Sequence, residues 1–228
     1  MIINLHFHAR YYDTFDGDSV ENSNLATITD TNYFDYGQSL LEIFSKVAGI
    51  EHLNVTPKFY RRPSENQYKL DIEGQYIAIY AVSKEECKNW IKDKWEKLIK
   101  FLIQDGYKIV EVGSSPIGIK NIDGLTNKIG LSIQDTADII ARASCFIGVD
   151  SGLAHLANAL NIKGIILQGK YKQWEKYSVF SGNYQKGINS KIIYAQKGFS
   201  AKNISVTEVY NTVVKLVPRI QCLFSKKC

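Results

Sequence analysis

The chain has 228 residues, of which 45% are apolar and 22% charged. Such a composition supports an ordinary packed core and excludes global disorder, and no apolar stretch approaches the ~20 residues of a membrane span. The net charge is +5, but the basic pairs Arg61-Arg62 and Lys226-Lys227 are too short to form a nucleic-acid surface with interleaved aromatics.

The four cysteines, Cys87, Cys145, Cys222 and Cys228, form no C-x-x-C pair, which fits a reducing compartment. Residues 1–6 lack a basic n-region and a long apolar h-region, so no signal peptide is read and a cytoplasmic protein is expected.

In chain order, residues 2–8 alternate apolar and polar, as a short strand does. His6 and His8 share one face of it. Two histidines without a third ligand do not make a metal site, so a plain strand is the reading. Residues 11–32 form an acidic loop containing Asp16-Gly17-Asp18, a D-x-D tripeptide read as a solvated turn. Residues 38–48 carry Leu40, Leu41, Phe44 and Val47 at helical spacing, and residues 57–68 read as a linker. No metal is expected.

From residue 75 a regular alternation begins. Residues 76–82 read as a strand and 84–104 as a helix with Trp95, Leu98, Ile99 and Leu102 on one face. Residues 107–112 form a strand ending at Gly113-Ser114-Ser115-Pro116. Ser132 and Asp135 resemble a capping box that opens a helix to Ala143. Cys145 to Val149 is an apolar strand, and a helix and a second strand at 165–167 follow. Residues 191–195 read as a last strand, and Ser205 with Glu208 as a second capping box. Strands alternating with helices imply parallel pairing and right-handed crossovers. The expected fold class is therefore α/β, with residues 71–228 as the main domain and residues 1–70 as a reduced amino-terminal segment and linker.

The run Asp150-Ser151-Gly152-Leu153-Ala154-His155 lies where the apolar strand meets its helix. Open α/β sheets bind ligands at such carboxyl ends. The small residues Ser151 and Gly152 let a phosphate approach, and the N–H groups of Ser151, Gly152 and Leu153 would face it. Asp150 would repel phosphate and better accepts from sugar hydroxyls. The plainer alternative makes Asp150 an N-cap and His155 a buried imidazole. Residues 169–184 carry Tyr171, Trp174, Tyr177, Phe180 and Tyr184, suited either to a sugar or base pocket or to local packing.

The run from Phe146 to Leu160, F-I-G-V-D-S-G-L-A-H-L-A-N-A-L, resembles the signature of family 9 glycosyltransferases, the ADP-heptose:lipopolysaccharide heptosyltransferase group. Ala81-Val82-Ser83, followed by Lys88-Asn89-Trp90 and Trp95, is similar to the family's strand-end loop. The resemblance runs over residues 76–169 and reaches back toward Tyr33. It implies the GT-B architecture, with residues 71–228 as its Rossmann-like carboxyl-terminal domain. It also implies lipopolysaccharide biosynthesis and a nucleoside diphosphate sugar as donor, with no cofactor.

By the same resemblance, Ser151, Gly152 and Leu153 hold the diphosphate, and Asp150 contacts the transferred sugar. Ser83 and Lys88 bind phosphate, Lys88 also balancing charge as the diphosphate leaves. His155 is part of the match without an assigned step. A catalytic aspartate is implied near the start of the amino-terminal domain. Asp18, in Gly17-Asp18, is its candidate, although it stands in an acidic loop rather than after a strand. Ser114-Ser115-Pro116-Ile117 replace the acidic residue and helix that the family often uses to fix the ribose.

The expected function is sugar transfer, heptosyltransferase-like and from ADP-heptose, to a saccharide or other acceptor. The alternative is a non-catalytic nucleotide-sugar-binding module, or half of a split glycosyltransferase with a protein partner or self-association.

Overall fold

The structure is a computed structural model that describes residues 54–218, apart from 121, 170–179 and 197, together with positions 41, 45 and 51. Within the expected helix 38–48, the described positions Leu41 and Ser45 are helical. The expected strand 2–8 with His6 and His8, the Asp16-Gly17-Asp18 turn, Tyr171, Trp174, Tyr177, Cys222 and Cys228 lie outside the described residues.

The elements are β1 (Tyr76–Tyr80), α1 (Lys92–Gln104), β2 (Lys108–Gly113), β3 (Leu125–Ile129), α2 (Ile133–Arg142), β4 (Cys145–Val149), α3 (Gly152–Ala159), β5 (Gly164–Gln168), β6 (Ser190–Tyr194) and α4 (Val206–Leu216). The strands form one parallel sheet in the order β3-β2-β1-β4-β5-β6. The order reverses between β1 and β4, and that point opens a crevice at the strands' carboxyl ends.

Successive strand residues point to opposite faces, so the inner strands feed two cores. Ile77, Ile79, Ile109, Cys145, Ile147, Val149, Ile165 and Leu167 pack with Trp95, Leu98, Ile99 and Leu102 of α1 and Val209 and Val213 of α4. Ala78, Val110, Val112, Phe146 and Ile166 pack with Ala137, Ile139 and Ile140 of α2 and Ala154 and Ala157 of α3. An all-parallel sheet needs both faces covered, and apolar residues on both sides of the inner strands meet that demand. Both serines cap their helices. Ser132 Oγ accepts from Asp135 N, and Ser205 Oγ from Glu208 N, each at 3.1 Å. A cap of this kind stabilises by about 1 kcal/mol.

The helix expected over 84–104 begins only at Lys92. Before it come a 3-10 turn, Glu86–Lys88, and an extended stretch through residues 89–91. Two tertiary contacts override the helical pattern. The Asn89 amide brackets the Ser83 backbone, accepting from its N–H at 2.6 Å and donating to its carbonyl at 3.0 Å. Trp90 is buried and its indole N–H reaches the Ile204 carbonyl at 2.9 Å. Lys88 therefore sits on a curled loop, not on a helix face. Strand β3 has no counterpart in the sequence reading. Its Leu-Thr-Asn-Lys-Ile is an edge strand without a buried residue, so it lacks the apolar run that marks its neighbours.

The stretch read as a linker runs along α2. Asp138, fully buried at mid-helix, binds Arg61 Nε at 3.1 Å, Arg62 at 2.8 Å and the Tyr68 N–H at 2.8 Å. Burial opposes this carboxylate, but the hydrogen bonds from Arg62, Tyr68 and Arg61 outweigh it and hold its carboxyl below the ordinary 3.8. A lowered carboxyl stabilises the fold above its unfolded pKa, and the contribution is lost as pH falls through the folded one. Asp138→Ala should destabilise by about 2 kcal/mol, because it removes one buried acceptor from two arginines and leaves the Tyr68 N–H without it. It should also weaken the acid-side decline of stability, read from denaturant melts on both sides of pH 3.8.

Candidate functional site

The loops after β1 and β4 meet at the switch point. β1 and β4 are directly paired, with Tyr80 opposite Gly148, so the residues beyond them, 81–90 and 150–153, share one crevice. Lys88 Nζ lies 2.8 Å from Asp150 Oδ2. Their side chains are 20% and 6% exposed, so this pair is mostly withdrawn from water. The attraction at such a contact is on the order of 4 kcal/mol at the effective dielectric of a protein edge, and the dehydration of two ions cancels much of it. An ion pair held at that cost favours any ligand that offers Lys88 another anion.

Asp150 is not the N-cap. Ser151 is: its backbone is extended and its hydroxyl accepts from Ala154 N at 3.4 Å. The first intrahelical bonds, from Ala154 and His155 to the Ser151 carbonyl, leave the N–H groups of 151–153 outside the α3 ladder. Gly152 is exposed, and a Cβ there would meet nothing within 4 Å. The helix start is thus open at Gly152.

Ser83 joins the site through its backbone, bracketed by Asn89, while its hydroxyl accepts from Glu85 N at 3.2 Å. That bracket tethers the loop carrying Lys88. Asn89 itself was not assigned a role from sequence, because an asparagine one residue from a lysine carries no signal of such a clamp. Leu153 is half-buried against the α2–α3 face. Asp18 lies outside the described residues.

His155 stands one turn into α3, with its ring 4.6 Å from that of Phe180. Burial pushes its pKa below the ordinary 6.5; the Asp150 charge partly offsets this and Lys88 reinforces it. His155 is therefore a neutral imidazole at pH 7. Of the aromatic stretch, Phe180 and Tyr184 are buried in the α2–α3 core, so local packing is the role of these two.

Glu111 is a second buried carboxylate near the crevice. It accepts from Ile117 N at 2.7 Å, which fixes the turn after β2, and burial pushes its pKa up. In sequence it is one acidic residue inside the apolar run of β2, a pattern without a marked functional signature.

With this geometry in place, similarity to known proteins is informative. The model of glycosyltransferase family 9 (heptosyltransferase) matches residues 38–202. The chain belongs to that family. Lipopolysaccharide heptosyltransferase 3 of Escherichia coli K12 is 30% identical, over 51% of this chain and 39% of its own length. Lipopolysaccharide heptosyltransferase 1 of the same strain is 25% identical, over 42% and 32%. The alignments thus span about a third of these curated relatives. Among solved structures, the family 9 glycosyl transferase from Veillonella parvula superposes with a TM-score of 0.60 at 15% identity, over 79% of this chain and 60% of that one. Escherichia coli heptosyltransferase WaaC with ADP gives 0.58 at 19%, over 78% and 55%. These structures establish the GT-B-type α/β fold. Among the described residues, no helix is long and apolar enough to cross a membrane.

A depressed histidine pKa makes folding less favourable as pH falls below the unfolded value, because only the unfolded chain binds the proton there. His155→Gln should remove that part of the acid sensitivity. Thermal melts of the two proteins should converge below pH 6.5 relative to their separation above it. Parallel melting curves at every pH would show that the His155 ring is not desolvated.

Proposed function

We propose that this chain provides the nucleotide-sugar site of a glycosyltransferase that moves a heptose-like sugar, from ADP-heptose, to a saccharide or other acceptor. The Lys88–Asp150 pair at 2.8 Å, beside an open helix start in a family 9 fold, carries this reading. The names of the relatives support heptose as the sugar. The same names support a role in lipopolysaccharide assembly. Free thiols at Cys87 and Cys145 support a cytoplasmic location.

In the proposed reaction, an acceptor hydroxyl oxygen attacks the sugar's anomeric carbon. The bond from that carbon to the diphosphate breaks, and its electron pair leaves with the diphosphate oxygen. The hydroxyl proton goes to a base, for which Asp18 is our candidate. Donor binding exchanges the partners of the ion pair. The diphosphate takes Lys88 and the N–H groups of Ser151, Gly152 and Leu153. Asp150, released from its cation, turns to the sugar hydroxyls. Ser83 positions the Lys88 loop, and neutral His155 keeps the sugar side of the site free of added positive charge. As negative charge grows on the leaving diphosphate, Lys88 and the α3 dipole stabilise it. This chemistry needs no resident metal or cofactor.

Calorimetric titration of the purified chain with ADP, UDP, GDP and ADP-heptose, followed by a donor-hydrolysis assay, tests the proposal. ADP-heptose should bind and turn over slowly. Lys88→Ala and Asp150→Ala should each weaken donor binding about tenfold, the value of one lost charge-assisted contact. Wild-type affinity in both variants would sink the site assignment. Binding without turnover would instead identify a donor-binding module, or half of a split enzyme.

A further inference from the structure

The outward face of α1 carries a charge pattern that the donor site does not explain. Six charged residues lie along this helix, and two of them turn inward. Lys92 Nζ donates to the Gly118 carbonyl at 2.8 Å, and Lys94 Nζ to the carbonyls of Lys202 and Ile204 at 2.6 and 2.9 Å. The other four, Asp93, Glu96, Lys97 and Lys100, line one shallow groove together with Phe101 and Gln104. They recur at helical spacing, on the side of α1 opposite the buried Trp95, Leu98, Ile99 and Leu102.

Phe101 marks the same face. It is 37% exposed, although its ring meets the edge of Tyr210 at 6.0 Å and Lys97 Nζ stands 5.8 Å over it. A second groove, between α1 and α4, is lined by Phe101, Gln104, Tyr210 and Asn211 among others. The Tyr210 hydroxyl donates to the Asp105 carboxylate, so this tyrosine offers the groove its ring. Val214, one turn beyond Tyr210 on α4, is 39% exposed. The α1–α4 face therefore shows two large apolar side chains to water beside its four charges.

Along the helix the outward charges run acid, acid, base, base. The helix dipole favours that order by itself, but it does not account for the exposed Phe101 beside them. The order is also self-complementary. In a two-fold dimer the same patch meets itself. Two antiparallel α1 helices, centred midway between Glu96 and Lys97, set Asp93 opposite Lys100 of the second copy and Glu96 opposite Lys97 of the second copy. Every outward charge then meets its opposite. A parallel pairing in register would set each charge against itself. We propose that this face of α1 is a self-association surface, and that its occupant is a second copy of the chain in that antiparallel register. The Glu96–Lys100 bridge within each copy, at 2.6 Å, joins the four contacts between copies into one network. One Phe101 from each copy closes each end of the charged strip. A helix of this length is about 20 Å long, so the contact is small, and association belongs to the weak, salt-sensitive class.

Sedimentation velocity of the full chain tests this, over concentrations from about 5 to about 500 µM, a range that brackets a small interface. At low salt the average mass should rise from that of one chain toward that of two. The rise should vanish near 1 M salt, where screening acts within about 3 Å. Asp93→Lys and Lys100→Glu should each weaken association about tenfold, because the two-fold repeats every lost contact and puts a repulsive one in its place. The chain carrying both substitutions should recover wild-type association, since each charge again meets its opposite. Asp93 and Lys100 are both exposed, so the single variants keep the fold. A wild-type chain that stays monomeric throughout the series would overturn the proposal. So would a dimer that neither single variant weakens, since its interface then lies elsewhere. A double variant no better than the single ones would overturn the antiparallel register. The inference does not use the nucleotide-sugar reading, so its failure leaves that reading untouched.

Discussion

The reversal of strand order between β1 and β4 governs everything else in this molecule. At that point adjacent strands send their chains to opposite faces. α1 crosses on one side and α3 on the other, and no connection can cover the gap between their starts. The two loops that border the gap carry Lys88 and Asp150. Opposite charges facing each other across a partly dry crevice close on one another at 2.8 Å. The ion pair is a consequence of the topology plus two residue choices. Desolvation cancels much of the attraction, so the pair is a weak stabiliser of the fold.

The same reversal assigns different jobs to the loops. The β4 turn is short and rigid, because Ser151 caps α3 within one residue of the strand-end aspartate. The β1 loop is longer and needs internal fastening, which Asn89 and Trp90 provide. A rigid half that presents backbone N–H groups thus faces a fastened half that presents one long cation. Short backbone dipoles tolerate no adjustment, whereas a lysine stem follows its anion. This division of labour places precision where geometry matters and reach where charge matters.

Much of this was legible in the sequence, for physical reasons. The parallel sheet showed itself because buried strands such as Cys145–Val149 are continuous apolar runs. Ser132 and Ser205 marked their helix starts because capping is a local, short-range interaction. The Asp150 to His155 turn was readable because strand, turn and helix follow each other within a few residues. What sequence reasoning missed depends on distant partners. Strand β3 exists because β2 offers an edge to pair with, not because Leu-Thr-Asn-Lys-Ile insists on it. Residues 84–91 leave the helical pattern because Trp90 finds a carbonyl 114 residues away. The role of residues 57–68 depends on Asp138, an acidic residue whose helical neighbours give no hint that it will be buried. The lysine–aspartate contact itself joins two loops 62 positions apart, and only the sheet order brings them together.

Family membership and local geometry bear on different parts of the function. Membership gives the architecture and the shared turn. It does not specify the edge over β2 and β3, because Ser114-Ser115-Pro116 replaces the acidic residue and helix that the resemblance led us to expect there. Glu111 lies three residues before Ser114, inside the sheet, and spends its one observed bond on the Ile117 N–H.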